Sequence, residues 1–170
     1  IDMDLRTYLT QSRDWSQGGC VDGFASEWTT DLIHAKASLV RQEDRETDEI
    51  IVLDGRLAST ICDPDGKEVC VGLFVGPGVV TPNIARTHAG QSRVSITATT
   101  DTHIARINSD TLTNLMIASE PIRNWANGVL RDTLGQKADR EWCLAALGGS
   151  DRLTWFRETY PGYEDVFNHA

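Results

Sequence analysis

The sequence is short of basic residues: 16 Lys and Arg stand against 25 Asp and Glu over 170 residues, a formal net charge of −9. DNA affinity draws on clustered Lys and Arg that displace counterions from phosphate, so a chain this acidic is not itself a DNA-binding surface. No apolar run approaches the roughly 18 residues needed to cross a bilayer, which predicts a soluble, cytoplasmic protein with no membrane partner. Cysteines number only four, Cys20, Cys62, Cys70 and Cys143, and no two form a C-x-x-C pair. That spacing argues against a zinc site and a thioredoxin-like motif and suits a reduced compartment. His34, His88, His103 and His169 have no H-x-H spacing, which counts against a cupin-like metalloenzyme. No Ser/His/Asp or Cys/His arrangement, supported carboxylate pair or Gly-rich phosphate loop stands out, so the chain is not expected to be an enzyme, nor to hold a metal.

What is present is a change of hydrophobic period along the chain. Residues 1–30 place Leu5, Tyr8, Leu9, Trp15, Phe24 and Trp28 at loosely helical spacing, interrupted by Gly18-Gly19 and Gly23, which predicts two short helices. Glu49-Ile50-Ile51-Val52-Leu53 is short and β-branched, a buried strand closed by Asp54-Gly55. Arg56 to Cys62 and Val69 to Leu73 flank Asp63-Pro64-Asp65-Gly66, where Pro64 presets φ and Gly66 accepts positive φ, so a hairpin is expected. Gly76-Pro77-Gly78 breaks the return strand before Val79-Val80. Asn83 to Ser92 is a polar loop, and strands follow over Arg93–Thr99 and Thr102–Ile107. Six or seven short, regularly punctuated strands by residue 107 predict a β-sandwich or barrel.

Past residue 108 the period becomes helical. Ser109–Ile117 is a short helix, and Ser119-Glu120-Pro121 starts a long one, with Ser119 as N-cap and Pro121 in the first turn. Ile122, Trp125, Ala126, Val129, Leu130, Thr133, Leu134, Ala138 and Trp142 trace a stripe over more than five turns, and a helix of that length needs a partner. Gly148-Gly149 ends it. Ser150 is the expected cap of a last amphipathic segment carrying Leu153, Trp155, Phe156 and Tyr160 and ending at Pro161.

Several strings, in this order, resemble the CRP/FNR family of transcription regulators, whose sensor is a cyclic-nucleotide-binding-type β-roll. They are Leu39-Val40-Arg41-Gln42, Leu53-Asp54-Gly55-Arg56-Leu57, Pro64-Asp65-Gly66-Lys67-Glu68 with Val71-Gly72-Leu73-Phe74, Pro77-Gly78, and Arg152-Leu153 with Trp155-Phe156. The resemblance runs over about residues 30–168 and implies a mainly β fold with helices: a double-stranded β-helix, or jelly roll, followed by a long dimerisation helix. It divides the chain into helices and sensor roll (1–118), dimerisation helix (119–148) and the beginning of a DNA-binding region (149–170), whose helix-turn-helix is expected beyond this sequence. It implies a homodimer joined through Ile122, Trp125, Ala126, Val129, Leu130 and Thr133, and a small effector held between roll and helices that controls DNA binding.

Family members that bind cyclic nucleotides carry a Gly-Glu pair for the ribose hydroxyl and, after a loop, Arg-Ser or Arg-Thr for the phosphate. The matching stretches here read Val79-Val80-Thr81-Pro82, without the Glu, and Ser92-Arg93-Val94-Ser95. The resemblance therefore makes Thr81, Asn83, Ser92, Arg93 and Ser95 the candidate ligand residues, with Arg93 offering its fork of donors to a small anion. That anion is a cyclic nucleotide or another, and no resident cofactor is expected. Arg86 and His88 in the same loop are expected to be exposed. The alternatives are a haem or redox sensor of the same family, with His88 or a cysteine as axial ligand, and a cupin-like metalloenzyme suggested by barrel shape alone. An iron–sulfur site is disfavoured, since only Cys20 lies near the N-terminus.

Overall fold

The Asp4 carboxylate accepts a hydrogen bond from the Thr7 backbone N–H at 2.9 Å and so caps the first helix, α1 (Leu5–Ser12). The structure, a computed structural model, describes residues 3–13, 15 and 20–163. Gly18-Gly19, His169 and the end of the expected 149–170 region lie outside the described residues. After α1 come α2 (Val21–Ser26), β1 (Thr29–Ile33), β2 (Ser38–Val40), β3 (Asp48–Asp54), β4 (Arg56–Cys62), β5 (Glu68–Val75) and β6 (Gly78–Val79). A short α3 (Asn83–Arg86) and the strands β7 (Thr87–His88) and β8 (Gln91–Ser92) occupy the segment expected to be a plain loop. Then follow β9 (Ser95–Ala98), β10 (Thr102–Asn108), α4 (Ser109–Ala118), α5 (Glu120–Ala146) and α6 (Gly149–Thr159).

Two four-stranded antiparallel sheets, ordered β1-β10-β3-β6 and β2-β9-β4-β5, form the roll, with β7-β8 as a separate small hairpin. This is the expected β-roll followed by a long helix. β1 had no signal in the sequence, because its residues are mostly exposed and do not alternate.

Strand β3 explains why the run Ile50–Leu53 is continuously apolar. Successive side chains point to opposite faces, and here both faces are covered. Ile50 and Val52 join Val40, Leu57, Val80, Ile96, Ala98 and Ile104 inside the roll. Ile51 and Leu53 face outward, where Leu9, Phe24, Trp28, Leu112, Ile122 and Trp125 cover them. Each fully buried aliphatic side chain contributes roughly 1.5–3 kcal/mol. At the β3–β4 turn Gly55 has φ +98°, and a Cβ there would lie 2.6 Å from the Asp101 carbonyl oxygen, so glycine is required.

Helix α5 begins as expected, with Ser119 at the N-cap position and proline in its first turn. Its apolar stripe is divided, however. Ile122 and Trp125, expected in a dimer interface, are each 3% exposed and pack on this chain's own outer core, with Ala126 and Val129 partly buried against it. Thr133 is partly buried, its hydroxyl donating to the Val129 carbonyl at 2.9 Å. Of the six expected interface residues only Leu130 is exposed, and further along the helix Leu134 and Trp142 are open at 60% and 63%. The outer face of the β1-β10-β3-β6 sheet needs cover, and the first turns of α5 supply it. Helix α6 starts two residues earlier than expected: extended Gly148 caps it, its carbonyl accepting from the Arg152 N–H at 2.9 Å, and Ser150 lies in the first turn. Among the described residues no helix is long and apolar enough to cross a membrane.

Candidate functional site

A groove of about 390 Å³ lies between β5, the segment after β6, and the helices α5 and α6. Val71, Leu73, Phe74 and Val75 give it an apolar wall; Thr133, Gln136, Lys137 and Arg140 of α5 face it, and Trp155 of α6 and Tyr160 just after that helix close one side. Thr133, Gln136, Lys137 and Arg140 follow steps of three, one and three residues, so one helix face carries them all. Arg140 is anchored across the groove by a hydrogen bond from Nη1 to the Val71 carbonyl at 2.6 Å. Lys137 and Arg140 against Asp139 leave the lining net positive, which suits an anion in a chain that is otherwise acidic.

The segment after α6 returns to the roll beside this groove. Tyr163 is fully buried, and its hydroxyl lies against the carbonyls of Leu57 and Phe74, the latter at 3.0 Å. Arg56 donates to the Pro161 carbonyl from Nη2 at 3.1 Å and from Nε at 3.3 Å, with its guanidinium 6.0 Å from the centre of the Tyr163 ring. Gly162 between them has φ +80°, and a Cβ there would lie 2.3 Å from Arg56 Nη2. Burial pushes the Tyr163 phenol up to about 12.

The five ligand residues expected from sequence do not meet at one place. Thr81 lines the groove. Asn83 turns its side-chain amide to the carbonyls of Glu46 and Asp48. Ser92 is 2% exposed and donates to the Val94 carbonyl at 2.7 Å, while the Ser95 hydroxyl accepts from the Gln42 N–H at 3.0 Å. Arg93 is exposed and does not line the groove.

The buried arginine of this loop is Arg86, not Arg93. Expected to be exposed, Arg86 is 4% exposed; its Nε donates to the Thr81 carbonyl at 3.1 Å, its Nη2 to that of Asp48, and its Nη1 lies 3.7 Å from the Glu46 carboxylate. Burial works against the guanidinium charge, and Glu46, Glu49 and Asp48 support it. Pro82 at the N-cap position of α3 is the sequence signal that places Arg86 on a helical turn rather than in open loop. Burial also pushes the Glu49 carboxyl up, opposed by the Asn83 N–H and the Arg86 charge. His88 is exposed, as expected.

The fold is an antiparallel β-roll with a positively lined groove beside the long helix α5. Residues 32–119 match the family model of the cyclic nucleotide-binding domain, and the chain belongs to that family. No curated protein matches it in sequence. Among solved structures it is similar to the c-di-GMP-responsive global regulator CLP of Xanthomonas campestris, at TM-score 0.68 and 16% identity over 89% of this chain and 75% of that one. It is similar also to the catabolite activator protein of Thermus thermophilus, at TM-score 0.62 and 17% identity, covering 81% of this chain and 62% of that one. A CooA variant from Carboxydothermus hydrogenoformans matches at TM-score 0.61 and 18% identity over 92% and 98% of the two chains. At these identities the likeness is one of fold.

Proposed function

We propose that this chain is the ligand-sensing and dimerisation portion of a cytoplasmic CRP/FNR-type transcription regulator, in which a small anionic effector controls DNA binding through a helix-turn-helix beyond residue 170. The observation that carries the reading is the groove itself, because Lys137 and Arg140 line it from the same helix that leaves Leu130, Leu134 and Trp142 exposed. An anion gripped by Lys137 and Arg140 pulls α5 toward β5, and a second copy packed on the exposed stripe feels that movement. The effector acts only as far as it prefers one helix arrangement over the other. Thr81 remains a ligand residue in this reading and Arg140 takes the role expected of Arg93, while Asn83 ties the segment after Thr81 to the Glu46 and Asp48 carbonyls and the Ser92 and Ser95 hydroxyls bond to Val94 and Gln42. The fold neighbours include a regulator described as c-di-GMP-responsive and a catabolite activator protein, which makes cyclic nucleotides the first ligands to try.

The test is thermal unfolding of the chain with cyclic AMP, cyclic GMP and cyclic di-GMP, since a ligand bound only by the folded state raises Tm. At least one nucleotide is expected to raise it, and Lys137→Ala with Arg140→Ala to remove the rise. A rise that survives both substitutions places the effector elsewhere, and no rise with any of the three overturns the nucleotide reading.

A further inference from the structure

Helix α6 has no buried residue, and of residues 148–163 only Tyr163 is buried. Trp155, Phe156 and Tyr160 are half-buried and form a file of rings that leads to it: Tyr160 meets Trp155 at 5.9 Å, Phe156 at 5.5 Å and Tyr163 at 6.3 Å between ring centres. The whole segment therefore depends on one docked side chain. An isolated helix of 11 residues is marginal in water, so α6 persists only while it is held.

The two ends of the segment are made differently. At the far end, Leu57 and Phe74 are opposite each other in the β4–β5 register, so one phenol oxygen lying against both carbonyls ties the tail to both strands. Arg56 holds the Pro161 carbonyl, and Gly162, with its positive φ and no room for a Cβ, is required by the docked path. At the near end, α5 finishes on extended Leu147, and Gly148 follows at φ −71° and ψ 171°, a conformation open to other residues. Gly149 has no positive φ, and a Cβ at either glycine would meet nothing within 4 Å. The left-handed cap that glycine often supplies after a helix is not formed here. Neither glycine is needed by the observed conformation; what both add is freedom to leave it.

We propose that α6 and residues 160–163 form a detachable wall of the groove, swinging on Gly148-Gly149 and latched by Tyr163 and Arg56. Trp155, Thr159 and Tyr160 line the groove from this wall, so the groove exists in two forms, one with the wall and one without it. A ligand that touches those three residues binds the closed form better and tightens the latch, and by reciprocity the latch tightens the ligand. The device is built from the chain's own contacts and does not depend on which effector fills the groove.

The test is amide hydrogen exchange on the whole chain, followed peptide by peptide by mass spectrometry. The amides of α6 are expected to exchange much faster than those of β3, through an opening that leaves the roll folded. Tyr163→Phe removes only the latching hydroxyl and should speed exchange of α6 about tenfold. Ile96→Val, inside the roll at 0% exposure, should speed β3 several-fold and leave α6 unchanged, because the open form keeps the roll intact. Gly149→Ala fits the closed form and restricts the open one, so it should slow α6 about two- to fivefold. Exchange of α6 and β3 at one rate overturns the proposal, as does an Ile96→Val that speeds both alike. So does a Tyr163→Phe that leaves α6 unchanged, or a Gly149→Ala that does not slow it. These readouts use no ligand, so their failure leaves the effector reading of the groove standing.

Discussion

The backbone N–H of Asn83 donates to both oxygens of the Glu49 carboxylate, at 2.9 and 3.0 Å. The donor at the start of α3 is thereby used by an anion of the chain itself, and Arg86, one turn later, is used in the same way by Thr81, Asp48 and Glu46. The loop in which family relatives meet a phosphate is in this chain internally neutralised. The cationic side chains that line the groove lie instead on α5, in Lys137 and Arg140, the latter bonded to the Val71 carbonyl.

Glu49 should leave a signature in the pH dependence of stability. Its folded-state pKa is raised, mainly by burial, so the stability it contributes is present below the ordinary carboxylate range and is lost as pH rises through the raised value. Gln at this position still accepts from the Asn83 N–H but does not titrate. The Tm of Glu49→Gln minus that of the unmodified chain is therefore expected to increase with pH between about 4 and 7. A difference that shrinks with rising pH would mean that Arg86 outweighs burial.

Arg86 and Arg93 are predicted to behave as opposites. Arg86→Met strands two carbonyls and a 10%-exposed Glu46 side chain, and breaking a buried pair in this way costs about 3–5 kcal/mol. Arg93 is exposed, and Arg93→Ala should fall within about 0.5 kcal/mol of the unmodified chain. Urea unfolding midpoints of the two variants check the contrast.

The roll was legible in the sequence where one rule governed a segment: the apolar run of β3, the Asp63–Gly66 turn, the proline opening α5. It was not legible where a segment answers to long-range partners. β1 is mostly exposed and is held by pairing with β10, which no local pattern announces. Arg93 fits the family's spacing, yet Arg86 took the interior, because the choice depends on where Glu46 and the Asp48 carbonyl sit after β3 is in place. Likewise the α5 stripe reads as one face in sequence, but its first half serves the roll and its second half is free. Trp125 falls in the first half and is 3% exposed, and Leu134 falls in the second and is 60% exposed.

The free half of the stripe carries the prediction about assembly. Leu134 and Trp142 are exposed and eight residues apart on one helix face, and burying such side chains against a second copy is worth roughly 1.5–3 kcal/mol each. At tens of micromolar the chain should scatter light as a dimer, and Leu134→Glu with Trp142→Glu as a monomer of unchanged helix content. A monomeric unmodified chain removes the dimer from the proposed function.

The last prediction concerns the tail that Arg56 and Tyr163 hold against the roll. Tyr163→Phe keeps the ring but removes the hydroxyl lying against the Leu57 and Phe74 carbonyls, a loss of about 1–3 kcal/mol at neutral pH. The phenol is pushed up to about 12, from an ordinary value of 10.0. Its contribution is therefore complete below pH 10 and disappears as pH rises from there through about 12. The Tm gap between the unmodified chain and Tyr163→Phe should be constant from neutral pH to about 10 and then close, with limited proteolysis after α6 accelerating over the same interval only in the unmodified chain. A gap that is already absent at pH 7 would show that the ring alone docks the tail, and one that persists unchanged through pH 12 would place the phenol outside any titration coupled to folding.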